Sequence, residues 1–429
     1  MRISSNKLSI YWLSLVFIVS FLPFLRLSMW SGGYDTIAAG DPVSLVKVAI
    51  RLIMMLVVFI YCVKYRRELN QLIKGPNLSL FIFFLLAFFS LSYSSDPIYS
   101  AFRLAEHVSL FLMAVFIVFG WSRGLDNYTS IISKIIDLVI YSLFPLILII
   151  WAFLAFGSPY VWRHIIGDSV GLGGQVLHVH TLAIICSILF GLFLNRFFVN
   201  FGFLKLFYGL ASVLVLITLF FTLSRTGYFM AVISALAILI HHKKLILAFF
   251  MAFLVLFWAG LNIELDFGLV VDLVKRGQTS EDLMSLTTRT IFWKELIVDT
   301  TLESPFLGYG YQMMGPDGTT KVFESLGGIA RSSAHNTFIQ TYAGLGVFGL
   351  IILAWNITNV LLRYLHLRSP KKKGVENLSM IFLIVIMCLI ASLTQYGIVG
   401  TTTPVAPLYY LCVALLSTRT IMRCQKFTS

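Results

Sequence analysis

Long apolar runs, broken by short polar stretches, dominate this chain. A helix needs about 20 mostly apolar residues to cross a hydrocarbon core. Twelve such runs are present: 8–25, 43–63, 78–93, 104–121, 135–156, 176–194, 204–222, 226–241, 245–261, 336–362, 377–396 and 404–421. They are continuously apolar rather than alternating, which predicts helices and not barrel strands. Only Leu223, Ser224 and Arg225 separate the seventh and eighth runs, so these form either two spans or a re-entrant pair. No internal repeat is visible. The first run is too long for a cleaved leader and lacks a small-residue cleavage site, so it is expected to remain as a span. The expected fold class is an all-α polytopic membrane protein of about twelve transmembrane helices.

One sizeable stretch, 262–335, reads differently, with a soluble-like composition. The chain therefore divides into 1–261 with spans one to nine, a loop over 262–335, and 336–429 with spans ten to twelve and a tail. The loop predicts an amphipathic helix over 287–303. Phe292 and Leu296 fall on one face, Lys294 and Glu295 elsewhere, and Ser304-Pro305 ends it. Ser285 or Thr287 can cap its start. Gly308, Gly310, Gly315, Gly318 and the pair Gly327-Gly328 mark turns. A segment this small holds too little core for an independent catalytic domain, so it is expected to lid the membrane part.

Composition agrees with the pattern. The chain of 429 residues is 59% hydrophobic and 12% charged, with a mean hydropathy of +0.90. Soluble domains carry about 25% charged residues. This excludes a soluble enzyme, a disulfide scaffold and a disordered chain. The net charge of +13, from 32 basic and 19 acidic residues, raises a nucleic-acid partner. Sorting the charges by side removes that partner. With the N-terminus inside, the inner segments hold 20 basic residues against Glu68, Asp126, Asp137 and Glu376, a balance of +16. The outer segments sum to −3. The surplus is thus a topology signal under the positive-inside rule, and it puts the large loop on the outer face. Cys62, Cys186, Cys388 and Cys412 lie in spans and Cys424 on the inner tail, so no disulfide framework is expected in the loop.

Charges at the membrane edge need a reason. Arg225, in Leu223-Ser224-Arg225-Thr226-Gly227, is either a snorkelling arginine or an anion ligand. Arg289 starts the loop helix, where the positive dipole end disfavours a cation but a phosphate would meet both. Taken alone, it is more often a solvated arginine. His335, followed by Asn336, enters span ten and can accept a proton near pH 7. Lone interfacial histidines are more often structural. Gly346 and Gly349 behind it read as packing glycines. Lys47 and Arg51 share a helix face and either snorkel or extend an anion site. Arg163 and His164 lie in an outer loop with Asp168, and Arg103 and Glu106 form a possible helical pair. His178 and His180 alone do not make a metal site, so no metal and no cofactor is expected. Phosphate-cradling loops, nucleophile elbows and paired-carboxylate signatures are absent from the sequence.

Together these pieces gain force. Ser224-Arg225-Thr226-Gly227 is followed by Arg289-Thr290-Ile291-Phe292-Trp293, then Ser304-Pro305-Phe306-Leu307-Gly308-Tyr309-Gly310, then His335-Asn336 with Gly346 and Gly349 beyond. This ordered set resembles the O-antigen ligase and polymerase superfamily of polytopic membrane glycan transferases, over about residues 210 to 355. The resemblance implies a glycan donor on undecaprenyl diphosphate, presented at the outer face of the bacterial inner membrane. It implies transfer to an acceptor sugar hydroxyl, on lipid A-core or a growing polysaccharide, without metal or nucleotide sugar. It also implies that Arg225 and Arg289 hold the diphosphate and that His335 serves the acceptor. Asn336, Lys47, Arg51 and Arg163 are candidates to extend the substrate site. Membrane lipid is the remaining partner, and nucleic acid is not one.

Four readings compete. A ligase joining O-antigen to lipid A-core comes first. A polymerase extending a repeat-unit polysaccharide is close, because Ser94-Ser95-Asp96-Pro97-Ile98-Tyr99-Ser100 resembles exopolysaccharide polymerases. A protein O-glycan transferase is a further member of the same class, though those tend to be longer. A flippase for the lipid-linked glycan is the alternative of another class, and would call for symmetry-related halves.

Overall fold

The computed structural model describes residues 2–24, 42–124, 128–164, 170–174, 176–247, 289–313, 334–367, 378–394, 397–399 and 403–418. Its helices are α1 (Arg2–Val19), α2 (Pro42–Lys64), α3 (Pro76–Phe89), α4 (Pro97–Gly124), α5 (Tyr128–Ala155), α6 (Val179–Val199), α7 (Gly202–Phe221), α8 (Arg225–His241), α9 (Arg289–Glu303), α10 (Thr337–Leu367), α11 (Leu378–Thr394) and α12 (Val405–Ser417). Among the described residues, six helices are long and apolar enough to cross a membrane, and five apolar helices are shorter. Eleven of the twelve predicted runs are therefore helical. The ninth, 245–261, lies almost wholly outside the described residues, as do 262–288 and 314–333 of the predicted loop. The all-α expectation needs one amendment. Strands β1 (Trp162–His164) and β2 (Val170–Leu172) form a small antiparallel sheet, with Trp162 opposite Leu172 and Arg163 opposite Gly171. Three residues per strand are too few for an alternating pattern to register.

The chain forms two compact units. The first comprises Met1–Ser20, Val48–Val139 and Thr288–Ser429. Its centre is α12, every residue of which is buried. It packs on α4 and α11, while α10 packs on α3. A buried polar pin joins three of these helices. The Tyr409 hydroxyl donates to Asn356 Oδ1 at 2.7 Å, and Asn356 Nδ2 donates to the Pro76 carbonyl at 2.8 Å and to Ser79 Oγ at 2.9 Å. Each polar atom has a partner, as a helix bundle in hydrocarbon requires. By contrast α2, long and apolar enough to cross a membrane, exposes Leu52, Ile53, Leu56, Phe59, Ile60 and Val63.

The most consequential feature of this unit is a break in α10. Gly346 has φ 61° and ψ −160°, so the helix is interrupted there. A helix break frees backbone groups, and at membrane depth each must be satisfied by protein. The segment after α9 does this. Tyr309 N and Gly310 N donate to the carbonyls of Ala343 and Gly344 at 2.8 and 2.9 Å. Val347 N and Phe348 N donate back to the carbonyls of Pro305 and Phe306 at 2.9 and 3.4 Å. The approach is close enough to demand glycine on both sides. A Cβ on Gly308 would lie 2.5 Å from the Ala343 carbonyl oxygen, and one on Gly346 would overlap the Phe306 carbonyl. Gly346 is thus a break point and not the helix-packing glycine that its spacing predicted.

The second unit comprises Phe21–Lys47 and Ile140–Thr287. Here α6 lies against both α7 and α8. Gly227 makes the α6–α8 contact possible, since a Cβ there would sit 2.8 Å from that of Ala183. Ser187 Oγ donates to the Gly227 carbonyl at 2.8 Å across the same contact. Trp151 Nε1 donates to Thr218 Oγ1 at 2.8 Å and ties α5 to α7. The chain between α7 and α8 is a tight turn over 222–224, so the seventh and eighth runs are two separate helices.

Gly346→Ala is expected to cost roughly 3 kcal/mol or more, from the left-handed backbone plus steric overlap. Gly157→Ala, also at positive φ but in open space, should cost only the backbone part, about 1–2 kcal/mol. Thermal unfolding followed by size-exclusion of detergent-purified protein measures both. Equal midpoints for the two variants would contradict the pairing described here.

Candidate functional site

In the first unit the site is built around the entry to α10. His335 sits in the left-handed region at φ 47°, uncommon for a residue with a side chain. Its neighbours hold it there. Asn336 caps α10: its Oδ1 accepts from Phe338 N at 2.9 Å and Ile339 N at 3.2 Å. Its Nδ2 donates to the Leu393 carbonyl at the end of α11, at 3.2 Å. On the other side, Ala334 N donates to Gln340 Oε1 at 3.1 Å. The Ala334 carbonyl accepts from Trp293 Nε1 of α9 at 2.6 Å. Phe292, Leu296, Ala334 and Ala343 form the buried cluster beneath, with Trp293 and Ile339 against it. His335 itself is half-buried.

This clamp explains how α9 is placed. The helix covers Arg289–Glu303, with Phe292 and Leu296 buried and Lys294 exposed, as the predicted amphipathic pattern requires. Ser285 and Thr287, the expected caps, lie outside the described residues. Arg289 is the first residue of α9, four before Trp293, which is about 6 Å along the axis. The turn that carries Arg289 is therefore tied through one indole to the residue preceding His335. Of the Arg289 side chain itself nothing is described. Three carboxylates, Glu295, Asp299 and Glu303, recur every fourth residue of α9. Burial, then Glu303 and Glu295, hold the Asp299 carboxyl above its ordinary value. Burial and a 3.0 Å hydrogen bond to Glu303 push the Tyr309 phenol upward.

The loop after α9 is braced by the turn between α3 and α4. Tyr93 OH donates to the Leu307 carbonyl at 2.8 Å, and Ser100 Oγ to the Tyr311 carbonyl at 2.7 Å. Tyr311 N donates to Ser90 Oγ at 2.9 Å. Gly310 lies so close to Ser94 that a Cβ would be 2.6 Å from the serine Cβ.

Two further cations of this unit form an ion triad. Arg51 Nε of α2 lies 2.7 Å from Glu106 Oε1, and Arg103 Nη1 lies 3.1 Å from Glu106 Oε2. The Arg103 guanidinium also stands over the Tyr99 ring, 5.1 Å from its centroid. The Arg103–Glu106 pair was legible from spacing. Arg51, read as a snorkelling cation or an anion ligand, pairs in the structure with the buried Glu106 carboxylate, and two arginines on one acid leave the triad a net positive charge. Asn336 caps α10 and ties it to α11. Next to the triad, His107 Nδ1 lies 2.8 Å from the Tyr410 hydroxyl, which itself donates to the Ile398 carbonyl at 2.9 Å. That order of donors puts the proton on His107 Nδ1.

The remaining candidates belong to the second unit. Arg225 opens α8 and is exposed; Ser224 caps the helix by accepting from Gly227 N at 3.4 Å. In Ser224-Arg225-Thr226-Gly227, then, serine starts the helix, glycine seats it on α6, and arginine projects. Lys47 is half-buried on α2. The Arg163 backbone lies in β1, and its side chain is outside the described residues. Sequence reasoning missed the Trp293–Ala334–Gln340 clamp. Its available signal was an indole four residues after Arg289, since a half-buried Trp N–H needs an acceptor.

Residues 210–354 match the O-antigen ligase family. The matched stretch, about a third of the chain, runs from α7 into α10. It contains Arg225, Arg289, the loop after α9, His335, Asn336 and the Gly346 break. The ion triad, Lys47 and Arg163 fall outside it. The similarity supports glycan transfer of the O-antigen ligase and polymerase kind, with lipid-linked glycan and polysaccharide as general partners and a bacterial membrane as the setting. No curated protein matches the chain.

Trp293→Phe keeps the ring and removes the donor to the Ala334 carbonyl. It is expected to cost about 1–3 kcal/mol and to speed amide exchange at Phe338 and Ile339, read by hydrogen–deuterium exchange. Unchanged exchange there would contradict the clamp. Glu106→Gln leaves two half-buried guanidiniums without their shared anion and should cost up to about 3 kcal/mol. Replacing the triad together (Arg51→Met, Arg103→Met, Glu106→Leu) should recover most of that in thermal unfolding. A Glu106→Gln protein as stable as wild type would refute the triad.

Proposed function

We propose that this protein transfers a glycan from a polyprenyl diphosphate carrier to an acceptor sugar hydroxyl at the outer membrane face, with lipid A-core as the first choice of acceptor. The observation that carries this reading is the clamp that joins the Arg289 turn to the strained His335. A non-glycine residue held at positive φ by surrounding bonds is the kind of position where strain serves function. His335 is a group suited by its type to take a proton near neutral pH.

The chemistry follows from the leaving group. A diphosphate departs as an anion and needs charge neutralisation, not protonation. Arg289 and Arg225 supply it as two-pronged donors, without need of a divalent ion. The acceptor hydroxyl is a poor nucleophile. As its oxygen attacks the anomeric carbon, His335 takes its proton, the bond from that carbon to the phosphate oxygen breaks, and the carrier diphosphate leaves. Direct displacement inverts the anomeric centre. A base in this role contributes about 10²–10⁴ in rate.

A polymerase acting on the same carrier is the second reading. The observation favouring it is the Ser94–Ser100 turn, which resembles that of exopolysaccharide polymerases and whose serines pack on the loop after α9.

In nanodiscs with a lipid-linked donor, His335→Ala should lose about 10²–10⁴ in turnover while still binding donor. Arg289→Lys should weaken donor binding, because the planar fork is lost. Full turnover by His335→Ala would overturn the assignment. Deleting the gene separates the acceptors: polymer accumulating on the carrier means ligase, and one-repeat products alone mean polymerase.

A further inference from the structure

Helix α9 carries an apolar face that no described residue covers. Ile297 and Val298 are exposed, Leu302 is 78% exposed, and in the turn that follows Phe306 is 61% exposed and Leu307 exposed too. In water this would be a costly surface on a loop helix. The face is not isolated. The Phe306 ring packs on that of Phe348 of α10, centroids 5.9 Å apart. Phe348 begins a row of exposed side chains down the same span, with Ile351, Trp355, Leu362 and Leu365 at helical spacing. Helix α10 is long and apolar enough to cross a membrane, and no described residue covers that row, which is the face a membrane-crossing α10 turns to lipid. The α9 face is continuous with it.

The carboxylates Asp299 and Glu303 fall on the other side of α9, toward Phe292 and Leu296, where Glu303 accepts from Tyr309 OH at 3.0 Å, and the hydroxyls beside the apolar face are satisfied by protein. Thr301, between Ile297 and Leu302, donates its hydroxyl to the Ile297 carbonyl at 2.6 Å and lies 2.8 Å from Tyr342 OH, which satisfies it without water. Ser304 Oγ donates to the Gly308 carbonyl at 2.9 Å. Lys294 stands one turn before Val298, with a stem long enough to snorkel.

We propose that the C-terminal half of α9 and the following turn, through Val298, Leu302, Phe306 and Leu307, are immersed in the acyl chains of the outer leaflet. The loop helix is then a membrane-seated element and not a lid standing in the aqueous phase. The placement does not depend on the transfer reaction proposed above, although it sets the start of α9 at the depth where a lipid-linked phosphate sits.

The test is photo-crosslinking of the full chain in nanodiscs of phosphatidylethanolamine and phosphatidylglycerol. A benzoylphenylalanine replaces Leu302 or Phe306, with Ile351 as the lipid-facing reference and the exposed Asp96 as the water-facing one. Mass spectrometry should find phospholipid adducts at 302 and 306 in about the yield found at 351, and loss of adduct at 96. As a second reading, Leu302→Cys and Phe306→Cys should lose labelling by a membrane-impermeant maleimide that marks Asp96→Cys in intact cells. A cross-link from 302 or 306 to another copy of the chain overturns the proposal. So does the lack of a lipid adduct there while 351 gives one, or maleimide labelling equal to that at 96.

Discussion

A helix broken inside a membrane must be repaired by other backbone, and the repair at Gly346 organises the first unit. The Pro305–Gly310 segment donates to two freed carbonyls of α10 and accepts from two freed amides. Because that exchange fixes residues 305–310, it fixes the C-terminal end of α9, which stops at Glu303. The other end of α9 is held through Trp293 to Ala334. Tethered at both ends to one helix, α9 is left little freedom, and the residue between Ala334 and the Asn336 cap is forced into a left-handed conformation. His335 is thus positioned by backbone pairing and one indole. The hydrophobic burial of Phe292 and Leu296 supplies much of the stability of this arrangement.

The cations divide by neighbourhood. Arg51 and Arg103 share a carboxylate that is 4% exposed, and the pairing offsets part of the cost of holding these three charges largely out of water. Arg225 is exposed at a helix start, and Arg289 opens a helix whose N-terminal dipole already favours an anion. The total of +13 is silent on this distinction, since it counts every cation alike. Arg51 and Arg103 stand out by the buried acid they share.

The helices were legible because a bilayer demands long apolar runs, and eleven of them are helical where predicted. The amphipathic face of α9 was legible for the same reason: Phe292 and Leu296 follow the helical period. What could not be read was pairing between distant segments. Pro305-Phe306-Leu307-Gly308-Tyr309-Gly310 and Gly344-Leu345-Gly346 each stood out, but no local rule says that one mends the other. Gly346 looked like a packing glycine because the apolar pattern runs on through the break. Arg51 and Glu106 each signalled a missing partner without naming it. Asn336 occupied a cap position that its type favours, and the cap itself went unread. His335 and Arg289 were marked by order and spacing; Trp293 stood in the same run as Arg289 with no role of its own to read, and Gln340 carried no motif.

The most direct test of the account is a structure of His335→Ala protein in nanodiscs, bound to a lipid-linked donor that it cannot turn over. The account predicts the diphosphate against the Arg289 guanidinium at the start of α9, with the anomeric carbon of the first sugar turned toward position 335. Diphosphate density bound away from α9, with position 335 remote from the sugar, would contradict it.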